Sequence, residues 1–93
     1  MLVKTTKGKI ESITPEHLDQ DIVRSALIAE LDAVSLYISQ IDNLNSLKAK
    51  EVIVHILEEE KEHIAELYCL LESMDKEQAL KSNKISSDTC IMK

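Results

Sequence analysis

Nine apolar residues (Val52, Ile53, Ile56, Leu57, Ile64, Leu67, Leu70, Leu71 and Met74) recur at helical spacing and confine this stretch to an amphipathic helix with one buried stripe. The stripe runs on through the charged segment Glu58-Glu59-Glu60-Lys61-Glu62-His63, where Glu60 and His63 take its positions. Three residues apart on a helix, these two side chains share a face. An acid and an imidazole at positions due for burial are costly unless something binds them. Glu-x-x-His directed into a helical bundle is one way to hold a metal ion, as in di-iron carboxylate bundles. A Glu-rich surface helix also produces the same pair by chance, and the pair would then lie on a solvated acidic face.

The rest of the chain fits a helical reading. Its 93 residues make one small domain, and a single Gly, a single Pro and 44% hydrophobic residues favour packed helices over sheet or disorder. Residues 1 to 13, which hold the only Gly, read as a flexible arm, and Met1 to Ser12 has no apolar segment of the secretory type. Thr14-Pro15-Glu16 is a helix start, with Thr as N-cap and Pro at the first helical position. The spacing predicts a first helix from Pro15 to about Asp42, with Val23, Ala26, Leu27, Ala33, Val34, Ile41 and Leu44 on its stripe. Glu30 occupies the centre of that stripe, and Tyr37 lies two turns further along the same face. Asn43 to Ser46 is a turn, and a second helix follows from Leu47 to Met74. Residues 76 to 93 lose the periodicity, and they read as a frayed helix end and a flexible C-terminal tail. The predicted organisation is therefore an arm over 1–13, a helical hairpin over 14–75 and a tail over 76–93.

The register of that hairpin can be worked out by counting. Glu30 and Glu60 each lie 15 residues from Asn45, at the centre of the turn. At about 1.5 Å per residue both stand roughly 22 Å from it, so they face each other at the same height. One hairpin is too thin to bury both stripes, and Leu31 and Ile38 point off the main one. Two hairpins pairing into a four-helix bundle would cover them. A di-iron bundle takes a Glu from each of two helices and Glu-x-x-His from each of the other two. A symmetric dimer would supply Glu30, Glu60 and His63 twice, with two metals near the two-fold axis.

With these residues in place the sequence resembles the ferritin-like superfamily, and more narrowly the encapsulated ferritins. The resemblance covers about Asp21 to Asp75. It rests on Ala29-Glu30-Leu31-Asp32-Ala33, on Leu36-Tyr37 and on Glu59-Glu60-Lys61-Glu62-His63. It implies an all-α fold: an antiparallel two-helix hairpin that dimerises into a ferritin-like four-helix bundle, with higher ring-like assemblies of dimers. It also implies that Glu30, Glu60 and His63 are iron ligands, that Tyr37 neighbours the site, and that the chain is cargo of an encapsulin shell. The sequence departs from the family pattern at Ala29 and Asp32, where further acids form an outer metal-entry site. No clear shell-targeting peptide is present between Lys84 and Met92.

The expected function is oxidation of Fe(II) to Fe(III) at a di-iron centre across the dimer interface, serving iron storage or detoxification. O₂ or peroxide would be the oxidant. Neutral imidazole with carboxylates suits iron, and manganese or zinc are substitutes such a set accepts. A rubrerythrin-like peroxidase is the neighbouring reading, disfavoured because the chain holds no Cys-x-x-Cys electron-transfer module. A metal-free dimeric helical interaction protein is the reading from another class. Formal net charge of −6 argues against nucleic acid as partner, and no apolar run is long enough for a bilayer. Cys69 and Cys90 form no pattern, which fits a reduced cytoplasmic setting, inside an encapsulin compartment if the resemblance extends that far. Cys69 reads as a small buried residue, His17 sits near a helix start, and His55, Glu58, Glu59, Glu62 and Glu66 read as surface residues, with Glu59 the first candidate for an exception.

Overall fold

A computed structural model describes residues 14–88, which are all-helical with no strand. The expected arm over 1–13 and residues 89–93 lie outside the described residues.

Helix α1 runs Pro15–Gln40. Thr14 caps it, its hydroxyl accepting from His17 N–H at 3.2 Å, and the Pro15 ring fits the first turn, where no donor is needed. A single 3₁₀ turn, Ile41–Asn43, ends it and leads to Ser46, whose hydroxyl accepts from Ala49 N–H at 3.1 Å. That cap opens helix α2, Leu47–Met74. The two helices pack against each other as an antiparallel hairpin. At its open end Gln20 and Arg24 of α1 reach Met74 and Asp75.

A third helix, α3, spans Lys76–Asp88, where the sequence predicts a frayed end and a flexible tail. The correction has a local cause. Asp75 leaves helical geometry at φ −118° and ψ 93°, and its Oδ1 accepts from Gln78 N–H at 3.1 Å. An aspartate N-cap with Glu77 in the first turn starts a new helix without needing a strong apolar stripe. The side chain of Tyr68 then meets Ser82 across the junction of α2 and α3.

This fold has almost no core of its own. Leu71 is the one buried hydrophobic residue among those described, at 5% exposure. Leu31, Leu36, Ile38, Val52 and Leu70 remain exposed along the hairpin. Cys69 is also exposed, against expectation: nine residues from Glu60, two and a half turns of helix, put it on the far side of α2. No described helix is long and apolar enough to cross a membrane.

Candidate metal centre

Midway along the hairpin, α1 contributes Glu30 while α2 contributes Glu60 and His63. One ligand atom from each lies within 4.8 Å of the others. His63 Nδ1 stands 3.0 Å from Glu60 Oε1 and 3.7 Å from Glu30 Oε2. The i, i+3 spacing on α2 brings the first pair together, and the matched heights of the two helices bring in the third residue. Burial is graded: the Glu60 side chain is 16% exposed, Glu30 26% and His63 50%. The imidazole therefore stands at the mouth and the carboxylates behind it. Together with Ala26, Glu66, Leu67 and Leu70, Glu30 and His63 line an open groove of about 380 Å³.

The electrostatics are those of crowded acids with too little positive charge. A hydrogen bond with the Glu60 carboxyl, followed by desolvation and the Glu60 charge, raises the Glu30 carboxyl above its ordinary value, with His63 opposing. The same Glu60 hydrogen bonds to His63 and raises the imidazole above its ordinary value, against the effect of burial. Glu30 Oε2 is shielded from solvent and has no hydrogen-bond partner among the described residues. His63 Nδ1, at 3.7 Å, is too far to hydrogen-bond this oxygen, and a shielded acceptor without a hydrogen bond is costly. A cation between two carboxylates and an imidazole would answer that cost, and the donor set is one that iron, manganese and zinc accept. Released from Glu60, His63 Nδ1 could serve as a neutral nitrogen donor.

Tyr37 is not part of this cluster. It lies two turns along α1 and lines a separate cavity of about 70 Å³ with Gln40, Ile41, Leu44 and Ile53. His55 pairs with Glu59 at 3.8 Å on the solvent side of α2, and both side chains are more than half exposed. The sequence places Glu66 on the surface. It is exposed, but it also lines the groove and its charge contributes to raising His63. The available signal was its place one turn beyond His63.

No family profile matches the chain. The chain is 38% identical over 72 residues to the encapsulin nanocompartment cargo protein EncC of Myxococcus xanthus, covering 73% of this chain and 55% of that one. It is 37% identical over 65 residues to a ferritin-like–encapsulin shell fusion protein of Pyrococcus furiosus, covering 70% of this chain and 19% of the fusion. The chain thus spans about half of the first relative and about a fifth of the second. Among solved structures, the encapsulated ferritin domain from Pyrococcus furiosus superposes with a TM-score of 0.72 at 26% identity, covering 96% of this chain and 95% of that one.

Proposed function

We propose that this chain, whose relatives and fold support an encapsulated ferritin-like family, is a ferroxidase whose di-iron centre forms when two hairpins pair. The observation that carries the reading is the convergence of Glu30, Glu60 and His63 beside one open groove, with a shielded Glu30 carboxylate oxygen that makes no hydrogen bond. Ferrous iron is the substrate. Two such ions held together deliver one electron each and leave as Fe(III), while with two protons from solvent dioxygen becomes hydrogen peroxide, or hydrogen peroxide becomes two waters.

The protein's own contribution is arrangement. Glu60 sits deepest and touches both other residues, so it would hold a shared position between them. Glu30 supplies the opposite helix's carboxylate. His63 at the mouth supplies a neutral nitrogen and borders the path to solvent. One chain offers three ligands, half of what a two-metal bundle centre takes. A second hairpin placed over the groove by two-fold symmetry would supply the other half and remove the site from water. Because a relative is named as encapsulin cargo and another is a fusion to an encapsulin shell, the reading extends to cargo of such a shell in the cytoplasm, with the ferric product stored there.

The test is ferrous iron added anaerobically to purified protein, followed by oxygen. The wild-type protein should bind two iron ions per dimer and consume O₂ in proportion to iron. Glu60→Ala and His63→Ala each remove two ligands per dimer and should abolish uptake while leaving the helical circular dichroism unchanged. Wild-type rates in both variants would remove the proposed centre. An iron-free dimer that consumes no oxygen would favour the metal-free interaction protein instead.

A further inference from the structure

The break between α2 and α3 is a single residue, Asp75, and every hydrogen-bonding group of that residue is engaged. Its N–H continues α2 by donating to Leu71 C=O at 2.8 Å. Its own C=O accepts from Ala79 N–H in α3 at 3.1 Å. Of its two carboxylate oxygens, Oδ1 caps α3 through Gln78 N–H, and Oδ2 takes a 2.6 Å charge-assisted hydrogen bond from Arg24 Nη2 of α1. Gln20, one turn before Arg24 on α1, donates from Nε2 to Met74 C=O at 2.9 Å, and its Oε1 accepts from Arg24 at 3.4 Å. The elbow thus joins all three helices, although Arg24 and Asp75 stand 51 positions apart in the chain.

We propose that Asp75, held by Arg24 with Gln20 beside it, is a latch that sets the direction in which α3 leaves the hairpin. A single extended residue between two helices leaves their mutual angle open, because two dihedral angles decide it. The carboxylate removes that freedom: one oxygen fixes the start of α3 and the other fixes α1. The charged group that faces it from α1 is Arg24, and α3 presents the N–H groups of Gln78 and Glu77. Beyond the elbow Tyr68 of α2 meets Ser82 of α3, and within α3 Gln78 Nε2 donates to the same hydroxyl at 3.0 Å. Leu80 and Ile85 stay exposed, at 71% and 57%. Where the latch points α3 therefore decides where this apolar surface is presented. None of these residues belongs to the Glu30–Glu60–His63 cluster, so the latch stands or falls independently of the proposed activity.

Hydrogen exchange read by mass spectrometry on the full chain tests it, because α2 serves as an internal reference within the same molecule. Arg24→Gln removes the charged partner. Asp75→Asn keeps an N-cap but removes the charge. Each variant should speed amide exchange over residues 76–88 by roughly three- to tenfold and leave residues 56–67 unchanged. The double variant should be no faster than either single one, because both remove the same contact. Arg24→Lys, which keeps the charge, should recover part of the protection. Wild-type exchange over 76–88 in both single variants would overturn the proposal, leaving Tyr68 and Ser82 as what holds α3. Equal acceleration over 56–67 would also overturn it, because the contact would then belong to the hairpin as a whole.

Discussion

Tyr37 and Glu30 share one face of α1, yet seven residues at about 1.5 Å each separate them by roughly 10 Å along the axis. Tyr37 lines its own small cavity near the turn, against Ile53, and shares no lining residue with the acid cluster or its groove. Tyr37→Phe is therefore expected to keep iron-dependent oxygen uptake within about threefold of wild type, below the usual loss for a residue supporting a metal ligand. A loss as complete as that of Glu60→Ala would place the Tyr37 hydroxyl at the reacting atoms, across a dimer interface. The contrast between Tyr37 and Glu60 shows what a sequence reveals at this scale. That Glu30, Glu60 and His63 would meet was legible, because helical rise is fixed and the turn is short enough to count from. The face of Tyr37 was legible as well. Its height relative to α2 places it opposite Ile53, and periodicity alone does not show the separate cavity that it lines there.

Among the elements, α1 and α2 were legible because their caps are written in Thr14, Pro15 and Ser46, and their stripes are long. Helix α3 was not. It lacks a continuous apolar stripe, and its stability comes from contacts distant in sequence, Arg24 with Asp75 and Tyr68 with Ser82. Asp75 carries a pH signature of its own. The backbone N–H of Gln78 and then the Arg24 guanidinium hold its carboxyl below the usual aspartate range, although partial desolvation opposes them. The sign follows from linkage: a group whose pKa is depressed by folding contributes stability above its unfolded value, about 3.9, and loses it as pH falls through the lower folded value. The difference in thermal midpoint between wild type and Asp75→Asn should therefore be constant from neutral pH down to about 4 and shrink below it. A difference that stays constant down to pH 2, a range chosen to pass beneath the aspartate titration, would mean that the Asp75 charge contributes nothing to the fold.

At the scale of the whole molecule, the described hairpin leaves Leu31, Leu36, Ile38, Val52 and Leu70 exposed, surface that a second hairpin would cover. In the proposed dimer the groove holding Glu30 and His63 is the seam, and Leu70, 46% exposed on its wall, is the residue to test. Leu70→Lys leaves every ligand in place and adds a charge where the second hairpin would dock. It should yield a helical monomer by light scattering, with iron-dependent oxygen uptake lost, because one chain holds half a centre. Leu80→Lys, on the exposed face of α3, should change neither. Metal should act in the opposite direction to Leu70→Lys. If the dimer binds ions that the monomer does not, ferrous or zinc ion at 100 times its dissociation constant adds about 2.7 kcal/mol per site, or roughly a hundredfold in dimer affinity. Dilution series with and without chelator read that shift directly. A Leu70→Lys monomer that still oxidises iron at the wild-type rate would place the whole centre within one chain. Identical dimer dissociation in chelator and in metal would put the ions away from the seam. Either result would remove the paired-hairpin reading.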